Sequence, residues 1–239
     1  MKSYIHRSHE RGMSELGWLH SKFSFSFAEY RDPKRMGFGA LRVINDDVVE
    51  PENGFGMHMH QNMQILSIVT KGALEHKDSQ GNKGVINEGE IQYMSAGSGI
   101  YHSEFNPSKD QKVEFFQIWI IPNVQGGKPL YVKKDIASYN QNNRWIDIVS
   151  ANENSGAIQI RQNANLSLTT LEEGFSIDTK STLNTHGRLL FVIEGSVNIE
   201  GEILTNRDEI QLLDSAPYSL KAIKRSKIMV FEVPMNIKG

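Results

Sequence analysis

Short apolar or alternating runs, separated by turn residues, recur along most of the chain. Phe23, Phe25 and Phe27 alternate with serines, which puts three aromatic rings on one face of an extended segment. Leu41 and Val43 run into Asn45-Asp46-Asp47, and Ile65-Leu66-Ser67-Ile68-Val69 stops at Lys71-Gly72. The polar stretch Asp78-Ser79-Gln80-Gly81-Asn82 has the composition of a turn between two such runs. Many short strands with turns between them predict an all-β chain of sandwich or jelly-roll architecture. The β pattern is weakest between Gly126 and Asn143, where Gly, Lys and Asn accumulate and Asp135-Ile136-Ala137 can start a short helix. A domain boundary is placed there, giving domains 1–135 and 136–239.

The second domain reads as a degenerate repeat of the first. Matching Gly72 with Gly195 sets Ile65–Val69 opposite the apolar residues around Leu190-Phe191-Val192, and Glu90-Ile91-Gln92 recurs as Glu209-Ile210-Gln211. In this alignment His58 and His60 fall on Ser181 and Leu183, while His102 and Glu104 fall on Lys221 and Ile223. Leu183 and Ile223 are therefore expected to fill the interior of the second domain, which would bind no metal.

Composition narrows the class of protein. The chain has 239 residues with 38% hydrophobic positions, 20 glycines and 7 prolines, the make-up of a globular protein able to build two cores. Its net charge is −2 and no long run of one sign occurs, so direct nucleic-acid binding is not indicated. The absence of cysteine excludes disulfides and thiolate ligands, leaving histidine and carboxylate for any metal. The stretch from Met1 to Lys22 lacks the apolar core of a secretory signal, and Phe115 to Ile121, broken by Gln117, is too short to span a bilayer. A soluble cytoplasmic monomer is expected.

The candidate chemistry lies in two short motifs, His58-Met59-His60 and His102-Ser103-Glu104. On a strand, residues i and i+2 leave the same face roughly 6.5 Å apart, so each pair can aim two donors at one ion. Two such pairs on neighbouring strands would close a site of three histidines and one carboxylate. Three imidazoles and a carboxylate leave one or two positions open for substrate or O₂ on a five- or six-coordinate ion. The other histidines read differently. His76, in Leu74-Glu75-His76-Lys77-Asp78, is expected to be solvated or to stand behind the ligands, His186 to lie on the surface, and His6, His9 and His20 to have no partner at metal spacing. Phe38, Phe105, Phe115, Phe116 and Trp119 could line a cavity but are each expected to be core. Met57 and Met59 are expected to pack behind the site.

The longer context resembles a known family. Gly56, His58, His60, Gln64 and Gly72, then Gly89, Gly99, His102 and Asn106, are similar to the two motifs of the cupin superfamily. Asp46-Asp47, Gly54-Phe55-Gly56-Met57-His58-Met59-His60, Met94-Ser95-Ala96-Gly97-Ser98-Gly99-Ile100-Tyr101-His102-Ser103-Glu104 and Gln117-Ile118-Trp119 resemble the pirin family, in particular its bacterial quercetinase-like members. The likeness is dense from about Gly12 to Pro122 and thin beyond. It implies a bicupin, two jelly-roll β-barrel domains packed together, with one divalent transition metal per chain. The resemblance implies the ligands His58, His60, His102 and Glu104; many cupins carry a ligating Glu where Gln64 stands, but in pirins the carboxylate comes from the second motif. Iron(II) is the first expectation, with nickel, manganese, copper and zinc also compatible. The activity implied is cleavage of a flavonol such as quercetin with O₂, a quercetin 2,3-dioxygenase-like reaction in which Glu104 is both ligand and general base. Pirin relatives also imply an alternative, a metal-dependent redox-sensing regulator that binds a transcription factor or a metabolic enzyme. A zinc-dependent isomerase or hydrolase on the same fold is a third reading.

Overall fold

In the computed structural model, which describes residues 2–137, 142–180 and 182–236, the apolar runs form strands whose paired faces follow the alternation of the sequence. The chain divides into two units. One comprises Gly12–Gly37 and Leu41–Ala137, the other Met1–Arg11, Phe38–Ala40 and Ser138–Gly239. The N-terminal arm, expected with the first domain, belongs to the second unit; it contains strand β1 (Ser3–His6). The helix expected to begin at Asp135 runs into residues 138–141, outside the described residues; the Asp135 carboxylate accepts a hydrogen bond from the Ala137 amide at 2.7 Å.

The N-terminal unit contains β2 (Gly12–Glu15), β3 (Leu19–Phe23), β4 (Leu41–Val49), β5 (Gly54–His60), β6 (Gln64–Lys71), β7 (Ala73–Asp78), β8 (Lys83–Asn87), β9 (Glu90–Ser95), β10 (Ile100–Phe105), β11 (Val113–Ile120) and β12 (Leu130–Asp135). They form a seven-stranded sheet in the order β12-β9-β6-β11-β4-β3-β2 and a four-stranded sheet in the order β5-β10-β7-β8. Strands β6 and β11 lie centrally and are buried on both faces over most of their length, which is why they read as near-continuous apolar runs. Two polar residues in their middle, Ser67 and Gln117, share one row. Antiparallel register pairs Gln92 with Ser67, Ser67 with Gln117, and Gln117 with Asn45, and all four side chains are buried. Apolar clusters flank this row on either side. Leu19, Val49, Val69, Leu74, Ile86, Val113 and Phe115 form one, and Ile65, Met94, Ala96 and Ile100 the other.

The C-terminal unit contains β13 (Ile146–Ser150), β14 (Ile158–Gln159), β15 (Asn165–Leu171), β16 (Ser176–Asp178), β17 (His186–Ile199), β18 (Glu202–Thr205), β19 (Glu209–Leu212) and β20 (Ser219–Pro234). Its sheet runs β1-β19-β17-β20-β15-β13-β14, with β16 on β20 and β18 on β17. Strand β17 is bulged between Val192 and Val197, and Gly195 there has φ of +101°; a Cβ would lie 2.2 Å from Ser226 Oγ. The two halves of β17 thereby contribute to a single apolar cluster, Leu190 and Val192 from one, Val197 and Ile199 from the other, joined by Ile210, Leu220, Ala222 and Ile228. The arm completes the edge: β1 pairs with β19, and His6 Nδ1 lies 3.2 Å from Glu209 Oε1.

The two units share their strand order, β9-β6-β11-β4-β3 matching β19-β17-β20-β15-β13. The alignment drawn from sequence holds where Gly72 meets Gly195, but it is one residue out of register where Glu90-Ile91-Gln92 meets Glu209-Ile210-Gln211. The Gly89 amide donates to Val69 O at 3.1 Å, and its counterpart is the Arg207 amide donating to Val192 O at 2.7 Å. This equates Ser67 with Leu190 and Gln92 with Ile210, not with Gln211; Leu190 and Ile210 are paired as Ser67 and Gln92 are. A one-residue slip exchanges the faces of a strand. Accordingly Ile223, expected inside, is 39% exposed, while Leu220 and Ala222 point into the apolar cluster; Leu183, also expected inside, is 57% exposed because the match at the first metal motif is four residues out. Ile177, packed on that cluster, pairs with Leu220 as His58 pairs with His102. Ser181 lies outside the described residues. His186, expected on the surface, is buried, with Nε2 2.8 Å from Asn163 O. No helix among the described residues is long and apolar enough to cross a membrane.

Candidate metal centre

Strand β5 is the edge of the four-stranded sheet, and its alternation turns His58 and His60 inward. Met57 and Met59, expected to pack behind the site, face outward and are 60% and 50% exposed. The neighbouring strand β10 sets His102 opposite His58, and a bulge follows between His102 and Glu104. On its other side β10 pairs with β7, placing His102 opposite Asp78 and Glu104 opposite His76.

Three imidazoles converge. His58, His60 and His102 each offer a donor nitrogen within 4.8 Å of the others, with ring centroids 4.5 to 4.9 Å apart. His58 Nδ1 lies 2.8 Å from Gly56 O; a carbonyl only accepts, so Nδ1 carries the proton and Nε2 keeps a lone pair. That Nε2 stands 3.1 Å from His102 Nε2. Neighbouring ligands on an ion held at about 2.1 Å are roughly 3.0–3.4 Å apart, so this separation is that of two donors to one metal. His60 Nε2 is buried and has no hydrogen-bond partner among the described residues. Burial, followed by the neighbouring His102 and His58, lowers the pKa of His60 to about 4, against a small opposing effect of Glu104. Burial, followed by His58 and His76, lowers that of His102 to about 3. Both rings are thus neutral at pH 7, the form that binds metal.

Glu104 approaches from the same strand as His102 but groups differently. Its carboxylate lies within 4.8 Å of donor atoms of His102 and His76, so His102 is common to two groups, of which only this second one is wholly buried. Oε1 accepts from Ser67 Oγ at 2.8 Å and Gln92 Nε2 at 2.6 Å, and Oε2 accepts from Gln117 Nε2 at 2.7 Å. The polar row of the larger sheet is therefore the cradle of this carboxylate, which offsets the cost of burying a charge between apolar clusters. Trp119 Nε1 donates to Gln117 Oε1 at 3.1 Å, and the indole stands edge-on to His60 with centroids 4.9 Å apart.

His76 is fully buried, not solvated. Its ring stacks on Tyr131 with centroids 4.6 Å apart, and Nε2 lies 3.2 Å from Asp78 Oδ2. Burial pushes the Asp78 carboxyl up, but hydrogen bonds from Asn82, His76 and Gln80 outweigh this and hold it below the usual carboxylate range. Alternation was the available signal: Leu74, His76 and Asp78 share the inward face of β7, the same i, i+2 pattern as the two metal motifs. Gln64 faces away from the polar row and accepts from Tyr93 OH at 2.7 Å. Among the aromatic candidates, Phe38, Phe115 and Phe116 are core, Phe105 and Trp119 half-buried. His9 is exposed, and His20 pairs with Glu15 at the surface.

Converging imidazoles, the unpartnered buried nitrogens His60 Nε2 and His102 Nδ1, and a buried carboxylate make a metal-binding cluster whose donors fit a first-row divalent ion. The family profile described as Pirin matches residues 5–120, and that described as Quercetinase C-terminal cupin domain matches residues 147–233. A quercetin 2,3-dioxygenase of Escherichia coli (strain K12) is 38% identical over 234 residues, 97% of this chain and 98% of its own. The chain belongs to the pirin family. A pirin-like protein of Caulobacter vibrioides is 35% identical to this pirin, over 92% of this chain and 95% of its own. The crystal structure of the bacterial pirin YhhW of E. coli in complex with nickel(II) matches this pirin with a TM-score of 0.92 at 37% identity, covering 97% of this chain and 99% of that one. The bicupin fold expected from the sequence is the fold of this pirin.

Proposed function

We propose that this pirin is a metal-dependent dioxygenase that cleaves a flavonol such as quercetin with O₂. The convergence of three imidazoles, with His60 Nε2 buried and without a hydrogen-bond partner among the described residues, carries the reading. Similarity to the E. coli quercetin 2,3-dioxygenase supports the reaction class. His58, His60, His102 and Glu104 would hold one divalent ion per chain; iron(II) is the first candidate, and nickel(II), present in the E. coli pirin structure, the first comparison. When bound, the ion supplies a Lewis acid that lowers the pKa of a coordinating hydroxyl and a centre for O₂ chemistry. Glu104 Oε2, giving up its place as ligand, would accept the flavonol hydroxyl proton as the substrate docks, while the half-buried Trp119 would limit water around His60.

Oxygen uptake tests this directly. Quercetin added to iron(II)- or nickel(II)-loaded protein should consume O₂, and absence of uptake by fully loaded protein with either ion would overturn the reading. Glu104→Gln keeps the size and an oxygen donor but removes the basicity, so metal should be retained in part while turnover falls on the order of 10²-fold or more. Full turnover in the loaded variant would remove Glu104 from the role of base.

A further inference from the structure

We propose that Gln117, oriented by Trp119, is a positioning residue that leaves Glu104 one available lone pair, on Oε2, and so makes it a one-oxygen ligand. The inference rests on the metal-centre reading above and concerns how the chain presents that carboxylate. An ionised carboxylate has about four lone-pair sites. Ser67 and Gln92 take both of those on Oε1, at 2.8 and 2.6 Å, and Gln117 takes one on Oε2 at 2.7 Å. One site remains.

The direction of the Gln117 amide decides this arrangement, and the indole fixes it. Trp119 Nε1 is a donor only, so the atom of Gln117 that it meets at 3.1 Å is the oxygen, and the amide nitrogen must face Glu104. A flipped amide would set its oxygen against the carboxylate and its nitrogen against the indole N–H, losing both bonds. The same indole stands edge-on to His60 at 4.9 Å, so one side chain sets the orientation of the carboxylate and packs against an imidazole. Ser67 and Gln92 reinforce the lock, since Gln92 Nε2 also lies 3.1 Å from Ser67 Oγ. With the donor at Gln117 removed, Oε2 gains a second free lone pair and the carboxylate loses its only restraint on that side.

Nickel(II) alone is the probe, with no flavonol present. Gln117→Leu should weaken nickel(II) binding about 10–100-fold at unchanged stoichiometry, measured by chelator competition, and should shift the nickel d–d absorption bands. Trp119→Phe keeps the ring beside His60 and removes only the N–H; it should move affinity and spectrum in the same direction by a smaller factor. If Gln117→Leu fails to fold, Trp119→Phe carries the test. In the double variant the two effects should not add, because Trp119 acts through Gln117. Unchanged affinity and spectrum in both single variants, or additive losses in the double variant, would overturn the proposal. Failure of the unaltered protein to bind nickel(II) would instead overturn the metal-centre reading beneath it.

Discussion

The two units place the same strands around opposite interiors. In the N-terminal unit, four adjacent strands contribute Gln92, Ser67, Gln117 and Asn45 to one buried row that receives Glu104. In the C-terminal unit the matching positions are Ile210, Leu190, Val230 and the buried Ser167, with Leu220 and Ala222 where His102 and Glu104 stand. Three of the four positions are apolar there, so the Gln92–Ser67–Gln117 row is not a requirement of the fold. Its presence in one copy means that burying imidazoles and a carboxylate needs a matched set of donors. The proposed metal centre would thus rest on a layer of the sheet and not only on its ligands.

The strongest way to break this contrast is to remove a ligand. His60→Ala should reduce metal bound to the purified chain from about one ion to a small fraction, because three or four donors set the affinity; elemental analysis reads the ratio. A reproducible second ion per unaltered chain would show that the C-terminal interior is not inert. Leu190→Ala should cost about 2–5 kcal/mol in denaturant unfolding and leave metal per folded chain unchanged. Equal metal loss in Leu190→Ala and His60→Ala would erase the distinction between the units.

Acid should act on the N-terminal interior. The folded-state pKa values of His60 and His102 are lowered to about 4 and about 3, below the value of about 6.5 for an exposed histidine. The unfolded chain therefore binds more protons below pH 6.5, and metal-free protein should lose stability as pH falls from about 6.5 towards 4. Thermal melts across that window check the sign, and His60→Ala should flatten the slope. The smallest effects belong to the positions once expected inside the second barrel. Leu183→Ala and Ile223→Ala should each change stability by about 0.5 kcal/mol or less, since both residues are exposed.

How much of this was legible in the sequence depends on how far apart the partners lie. The two metal motifs could be read because period-2 alternation aims i and i+2 at one face, a local rule. The polar row could not, although each member interrupts an apolar run: Ser67 in Ile65–Val69, Gln117 in Phe115–Ile121, Gln92 beside Ile91. Only cross-strand register brings these residues together, and register is a property of distant pairs. The repeat was detected but misplaced at both metal motifs, because the recurrence of Glu90-Ile91-Gln92 as Glu209-Ile210-Gln211 lies one position from the structural match and the connections before Val192 differ in length between the copies. His6 and His186 read as surface or unpartnered because Glu209 and Asn163 are remote in sequence.

The arm has a temporal consequence. His6 and Glu209, which face each other across the β1–β19 pair, are separated by 203 positions. At a synthesis rate of about 5–20 residues per second, β1 waits roughly 10–40 s on the ribosome before its partner strand is made. The metal-binding unit, encoded wholly within that interval, can fold first, while the open edge of the other sheet is sealed last by a segment that was translated early.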